Sequence, residues 1–182
     1  MTEESDEALV RSCRAGDRGA FETLVVRYQR PVFNVALRML RHPEDARDAA
    51  QTTFLKAYEH LGDFNMQYRF YSWIYRIAIN ESINHGKQRR SHEGLSQEER
   101  DPAAGPEQAL GQHQFDSALQ TVIMGLSDDY RAVIVLHYTV GCSYEDMASI
   151  LDIPTKTVKS RLFSARERLK DSPLLAIWLE QA

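Results

Sequence analysis

The chain is poor in the residues that covalent and metal-built scaffolds need. It has two cysteines in 182 residues, Cys13 and Cys142. They stand far apart and in no metal-ligand spacing, which excludes a disulfide framework and a cysteine-built zinc module. Two lone thiols suit a reducing cytoplasm, with buried filler as their expected role. No apolar run is long enough to span a bilayer, so no membrane insertion is expected. The opening residues, MTEESDEALV, are acidic, unlike a secretory signal or a transit peptide. There is no glycine-rich phosphate loop and no nucleophile–base pair, so neither an enzyme nor a bound cofactor is indicated. Cations are short too: 22 Lys and Arg stand against 26 Asp and Glu, a net charge of −4. That total is wrong for a nucleic-acid binder, but affinity for a polyanion follows local cations rather than the sum.

Locally the charge is sorted. Residues 64–90 hold Arg69, Arg76, Lys87, Arg89 and Arg90 against Glu81 alone. Residues 91–129 are acidic, with Glu93, Glu98, Glu99, Asp101, Glu107, Asp116, Asp128 and Asp129 against Arg100. From Leu151 to Asp171 cations prevail again. Two cationic islands are separated by an acidic stretch.

No segment alternates with a strand period for long, and the run Val133 to Leu136 lies inside a helical pattern. The expected fold is all-α: two small helical domains joined by a flexible linker, the C-terminal one a helix-turn-helix. Residues 5–15 and 18–29 read as two helices broken at Ala15-Gly16-Asp17. A third is expected from Pro31, which suits a first turn because its missing N–H is an orphan there anyway. Val32, Val35, Ala36, Met39 and Leu40 give it a face. A long helix follows from about Pro43 to Leu61, with Glu44 and Asp45 at the positive end of its dipole. Ala46, Ala49, Ala50, Phe54, Ala57, Tyr58 and Leu61 form its apolar side, and Asp45, Asp48, Gln51, Thr52 and Lys56 its polar side. Periodicity alone does not separate an ordinary amphipathic helix from a partner-binding one.

Residues 62–70 read as a loop, and a helix follows from Tyr71. Arg76, Asn80, Asn84 and Lys87 recur on one stripe of it. Phe64, Tyr68, Phe70, Tyr71, Trp73 and Tyr75 crowd the loop and the first turns, with Arg69 among them. Aromatics interleaved with cations are what single-stranded DNA requires, since rings stack on unpaired bases and charge tracks the backbone. They are equally what an aromatic core beside a cationic helix end looks like, and the residues alone leave both open. Residues 91–113 are polar, with Gly and Pro, and read as a flexible linker between a first domain (1–90) and a second (114–182). In the second, Phe115, Leu119, Val122, Ile123 and Leu126 form one helix, and Ser127 caps the next. His137 has no His or Cys partner at ligand spacing and reads as a packed or surface residue. The tail, SPLLAIWLEQA, is apolar.

The stretch from Leu126 to Lys170 is the most informative. Ser143 with Asp146 three residues on is a capping-box signal, opening a short helix that buries Met147, Ala148 and Leu151. Pro154 disfavours the helical region at Ile153 and ends it. A second helix runs from about Thr155, with Val158, Leu162, Ala165 and Leu169 in one apolar stripe. Thr157, Ser160, Arg161, Ser164 and Arg168 lie opposite, flanked by Lys156, Lys159, Arg166 and Lys170. Helix, short turn and cationic helix make the layout of a helix-turn-helix, whose second helix enters the major groove. Its donors suit guanine edges and phosphates. A merely solvated face is the bland alternative.

The order of these parts resembles bacterial RNA polymerase sigma factors of the small, two-domain extracytoplasmic-function group, from about Glu7 to Lys170. FETLVVRYQRPVFNVALRML and DARDAAQTTFLKAYEHLGDF are similar to the family's first domain, FYSWIYRIAINESINHGKQRR to its −10 segment, and the stretch from Leu126 to its −35 domain. The resemblance implies a promoter-specificity subunit with core polymerase and promoter DNA as partners, commonly held by an anti-sigma factor. It places Asp45, Asp48, Gln51 and Phe54, with Lys56 beside them, on the polymerase-binding helix. It places Phe64, Tyr68, Arg69, Phe70, Trp73, Arg76, Asn80, Asn84 and Lys87 at the −10 site, with a flipped base held near Asn80 and the 64–70 loop. It places Lys156, Thr157, Lys159, Ser160, Arg161, Ser164 and Arg168 at the −35 site. Three positions depart from the family pattern. Thr52 stands where an acid is usual, Asp152 replaces a turn glycine, and Lys156 stands where glycine is common. Asp tolerates the left-handed conformation that the turn needs. The rival function is a helix-turn-helix regulator that acts as a dimer without being a polymerase subunit.

Overall fold

The computed structural model describes residues 4–93 and 119–170. The expected linker lies almost wholly outside them, as do Phe115 and the apolar tail. The described residues are helical or in turns, without a strand. Helix α1 (Asp6–Arg14) is capped by Ser5, whose hydroxyl accepts from the Ala8 N–H at 3.2 Å, and it buries Leu9 and Val10. Helix α2 (Arg18–Leu40) is capped by Asp17, and α3 (Pro43–His60) starts with Pro43 in its first turn. A short 3₁₀ turn (Leu61–Asp63) leads to α4 (Phe70–Glu93).

One boundary differs from expectation. The second and third expected helices are a single 23-residue α2 that runs through Pro31. An internal proline costs roughly 3 kcal/mol through its lost hydrogen bond and ring clash. Here Leu24, Val32, Val35, Ala36, Met39 and Leu40 are all buried along the same helix. Burial of several such side chains, each contributing about 1.5–3 kcal/mol, outweighs the break.

Helices α2, α3 and α4 each pack against the other two. The α3 face that meets its neighbours is built from Ala46, Ala49, Ala50, Thr53 and Ala57, small residues that let backbones approach. Tyr58 leaves that face and is largely exposed, as is Leu55. Lys56 Nζ meets the buried Glu81 carboxylate at 2.7 Å and ties α3 to α4. Arg14 donates to the carbonyls of Leu61, at 2.9 Å, and of Phe64, which anchors the loop before α4.

In the second domain, residues 119–124 are helical (α5), followed by α6 (Asp128–Val135). Ser127 stands at the α6 N-cap without a side-chain hydrogen bond. The helix closes in a π turn, Leu136–Val140, that ends on Gly141 at φ +80°. Then come α7 (Tyr144–Leu151) and α8 (Thr155–Lys170). The two domains are not apart: α2 packs on α6, and α4 on α7.

Candidate nucleic-acid interface

The helix-turn-helix forms as its sequence dictates. Ser143 Oγ accepts from the Asp146 N–H at 3.1 Å and donates to its carboxylate at 2.7 Å. The turn passes through Asp152 in the left-handed region, φ 56° and ψ 46°, and the Ile153 N–H returns to Ala148 O at 3.2 Å. Met147 and Ile150 are the residues α7 buries, whereas Ala148 and Leu151 are half-buried. Val158, Leu162 and Ala165 seat α8 in the core, with Leu169 half-buried at its end.

The outer face of α8 presents Lys156, Lys159, Ser160 and Arg168, with Thr157 and Ser164 half-buried. Arg161 differs from the rest. Its side chain is 27% exposed, and its guanidinium meets Asp129 of α6 at 2.7 Å. Three cations rest over tyrosine rings: Lys159 over Tyr144 at 5.6 Å, Arg166 over Tyr138 at 5.6 Å and Arg168 over Tyr130 at 5.0 Å. Such cation–π contacts fix long side chains at little cost. Phe163 is 66% exposed on the same face as Lys156, Lys159 and Ser160. It was not among the expected site residues. Its signal is an aromatic one position off the apolar stripe, suited to a thymine methyl in the groove. His137 is half-buried and stacks on Tyr144.

In the first domain the expected −10 residues, Arg69 apart, divide into three sets. Phe70 is 2% exposed and packs with Tyr28, Phe64 and Trp73, so it belongs to the core rather than to a stacking surface. Tyr75 is buried too, against the Tyr28 and Tyr71 rings, and burial pushes its hydroxyl up to about 12. A second set lines a cavity of about 530 Å³: Phe64, Tyr68, Trp73 and Arg76, joined by His60, Asp63, Asn65, Ser72, Ser149 and Asp152. Phe64 is buried within its wall, and Tyr68 is 57% exposed at its edge. The size falls within the range of small-ligand sites. Neither His60 nor Asp63 was anticipated: His60 ends α3, whose pattern pointed elsewhere, and Asp63 lies in the short turn that follows. The third set, Asn80, Asn84 and Lys87, lines a separate crevice with Ser127, Asp128 and Asp129. Asn80 therefore does not touch the cavity that the resemblance put near it. Arg69 is exposed, and its guanidinium lies 5.9 Å from the Tyr71 ring.

On α3, Asp48 and Gln51 are exposed and Phe54 is half-buried. Asp45 is occupied within the fold, its carboxylate 3.2 Å from Arg89 and 3.7 Å from His42. Lys56 is occupied by Glu81. These two polar residues hold the bundle together, and exposed Leu55 and Tyr58 stand beside the free part of the stripe. Among the described residues no cluster of His, Cys, Asp or Glu has the makings of a metal site, and no helix is long and apolar enough to cross a membrane.

A cationic helix-turn-helix in one chain with an aromatic, arginine-walled cavity has the layout of a DNA-binding protein. Comparison with known proteins narrows the class. Residues 24–92 match Sigma-70 region 2 and residues 116–169 match Sigma-70, region 4. RNA polymerase sigma-H factor of Pseudomonas aeruginosa is 35% identical over 189 residues, covering 96% of this chain and 98% of the relative. ECF RNA polymerase sigma-E factor of Escherichia coli is 35% identical over 185 residues, covering 94% and 96%. Among solved structures, the sigma factor RpoE of Bartonella quintana, in complex with the anti-sigma factor NepR, is similar with a TM-score of 0.68 and 28% identity, over 86% of this chain and 97% of that one. The chain belongs to the extracytoplasmic-function (ECF) group of RNA polymerase sigma factors.

Proposed function

We propose that this protein joins core RNA polymerase and directs it to promoters, reading the −35 element as duplex and the −10 element as unpaired bases. One observation carries the reading. The cavity walled by Tyr68, Trp73 and Arg76 shares a chain with an α8 whose exposed face is Lys156, Lys159, Ser160 and Phe163. Residues 1–90 act on polymerase and the −10 element, 114–182 on the −35 element, and 91–113 connect them. Helix α8 lies in the major groove, where each good bidentate base contact contributes about 1–3 kcal/mol of discrimination. Capture of an unstacked base between Trp73 and Tyr68 offsets part of its unstacking, a few kcal/mol. Asp48, Gln51 and Phe54, beside Leu55, form the surface for polymerase. An inhibitor of the anti-sigma class is the further partner, in keeping with the NepR complex of RpoE. The place of action is that of the polymerase, the cytoplasm.

The test is run-off transcription from a pool of genomic promoter fragments, with purified core polymerase. Defined start sites that need both protein and core are the expected result. Sequence-specific DNA binding by a dimer of this protein, with no transcripts from core, would overturn the reading.

A further inference from the structure

Helix α8 carries cations on both flanks of its exposed face, and rings from outside the helix hold three of them. The middle of that face is Ser160, Phe163 and Glu167, at i, i+3 and i+7, the last paired with Lys170 at 2.7 Å. At about 100° per residue, Lys159 and Arg166 stand roughly 80–100° to one side of this line and Arg168 about 100° to the other. Each meets a tyrosine from a different element. Lys159 lies over Tyr144, the first residue of α7. Arg166 lies over Tyr138 of the π turn, and its Nε donates to the Tyr138 hydroxyl at 2.9 Å. Arg168 lies over Tyr130 of α6. Ring contacts join Tyr138, His137 and Tyr144 into one ledge along the first flank.

A ring differs from a carboxylate as a support. A carboxylate beside a guanidinium cancels its charge, as Asp129 does for Arg161 at 2.7 Å. An aromatic face attracts a cation through its quadrupole and leaves the net charge in place. Arg166 commits Nε to Tyr138 and leaves its two Nη groups, the fork that matches a phosphate bidentately. A ring-held side chain has also lost part of its rotamer freedom before a ligand arrives, which lowers the ordering cost of binding. Lys159, Arg166 and Arg168 are thus cations of full charge, already placed, at the edges of the reading face.

A major groove about 12 Å wide admits a helix about 10–12 Å across. The middle of a seated helix faces the base edges, and its flanks face the phosphates on either wall. We propose that Tyr130, Tyr138 and Tyr144 are positioning residues for a phosphate clamp: they hold Arg168 against one DNA strand and Arg166 and Lys159 against the other, while Ser160 and Phe163 meet the bases. The clamp rests on reading α8 as the major-groove helix. Lys159 and Arg166 are two turns apart, about 10.5 Å along the axis, so they engage separate phosphates of their strand. The three cations set register and affinity, and sequence preference is left to the middle of the face.

The experiment uses the full chain and a fluorescein-labelled duplex selected from a random-sequence pool by the unaltered protein, alone and with core polymerase. Affinity is read against salt concentration on that duplex and on versions with single base-pair changes. Arg166→Gln should weaken all of them alike and lower the slope of log affinity against log salt by about 0.9. Tyr138 is the cleanest ring to change, because it is 62% exposed. Tyr138→Leu should weaken binding about two- to fivefold, the range of one cation–π contact, with an unchanged urea midpoint, and Tyr138→Phe should recover most of the loss. Methylphosphonates, which replace single phosphates with neutral groups, locate the contacts. Neutralising one phosphate should weaken the unaltered protein but not Arg166→Gln, and the position silenced by Arg168→Gln should lie on the opposite strand. An unchanged salt slope for Arg166→Gln, or both silent positions on one strand, would overturn the clamp, as would Tyr138→Leu binding as tightly as the unaltered protein. Unchanged DNA binding with weaker assembly onto core polymerase would assign the ledge to a protein partner and overturn it too. A duplex selected and clamped without run-off transcripts strikes the sigma reading alone, transcripts with unchanged slopes strike the clamp alone, and no selection under either condition strikes both.

Discussion

Replacing Arg131 by methionine tests how the second domain is held together. Arg131 is 5% exposed, yet it sits in an apolar run, and burial pushes its guanidinium below the usual arginine value. The charge is tolerated because carbonyl oxygens surround it. Nη2 donates to Met124 O and Leu126 O, both at 2.8 Å, Nη1 to Met39 O at 3.0 Å, and Nε to Ile123 O at 3.3 Å. Three of these oxygens lie at the end of α5 and just beyond it, so one side chain caps that helix and binds it to α2. Methionine keeps most of the volume and removes every donor. Counting only the two shortest of these four hydrogen bonds, at about 1.5–3 kcal/mol each, and taking off roughly 1 kcal/mol for the burial cost that methionine escapes, the loss is about 2–5 kcal/mol. With a urea slope of roughly 2 kcal/mol/M, the unfolding midpoint falls by about 2 M. Arg131→Lys keeps the charge, loses the fork geometry, and should fall between. A midpoint for Arg131→Met within about 0.5 M of the unaltered protein would mean that water satisfies those carbonyls, and the capping argument would be wrong.

Two further outcomes follow from the same geometry. At Asp146, burial raises the carboxyl, but hydrogen bonds from Tyr71 and Ser143 and the charge of Arg69 lower it further, so it titrates below the ordinary 3.8. A carboxyl depressed on folding stabilises fully above its unfolded value, and that contribution is lost as pH falls through the folded one. The melting-temperature gap between the protein and its Asp146→Asn variant should therefore be present at neutral pH and close as pH falls below 3.8; a pH-independent gap would contradict the assignment. Lys156→Ala, at an exposed position in the first turn of α8, should weaken duplex binding uniformly across −35 sequences. The slope of log affinity against log salt should drop by about 0.9, and a sequence-selective loss with an unchanged slope would make Lys156 a base reader instead.

The chain alone determined most of its helices, their order and the helix-turn-helix, because these depend on neighbours in sequence. Ser143 caps α7 through an N–H three residues on, Asp152 needs only its own backbone freedom, and the stripe of Val158, Leu162 and Ala165 is a matter of helical period. The resemblance to sigma factors rested on that linear order and survives in three dimensions. What periodicity does not encode is the partner standing opposite a side chain. Pro31 reads as a helix start, yet the packing of α2 on α3 and α4 carries the helix through it. Phe70 and Tyr68 are both aromatics of one loop and its edge, and only the Tyr28–Phe64–Trp73 surroundings put the first in the core and leave the second in solvent. Lys56 and Asp45 read as an exposed polar stripe, whereas Glu81 and Arg89, brought close by α4, occupy them. Arg161, which the resemblance places at the −35 site, pairs with Asp129 of α6, a partner no local pattern indicates. Arg131 gave no signal at all, since one arginine in RAVIVL differs from a surface residue only by the carbonyls that folding gathers around it. The interface between the domains is the largest case of this kind. It pairs Arg76 with the end of α7 and Arg38 with Gln120, contacts over 73 and 82 residues of sequence, and no local pattern reaches that far.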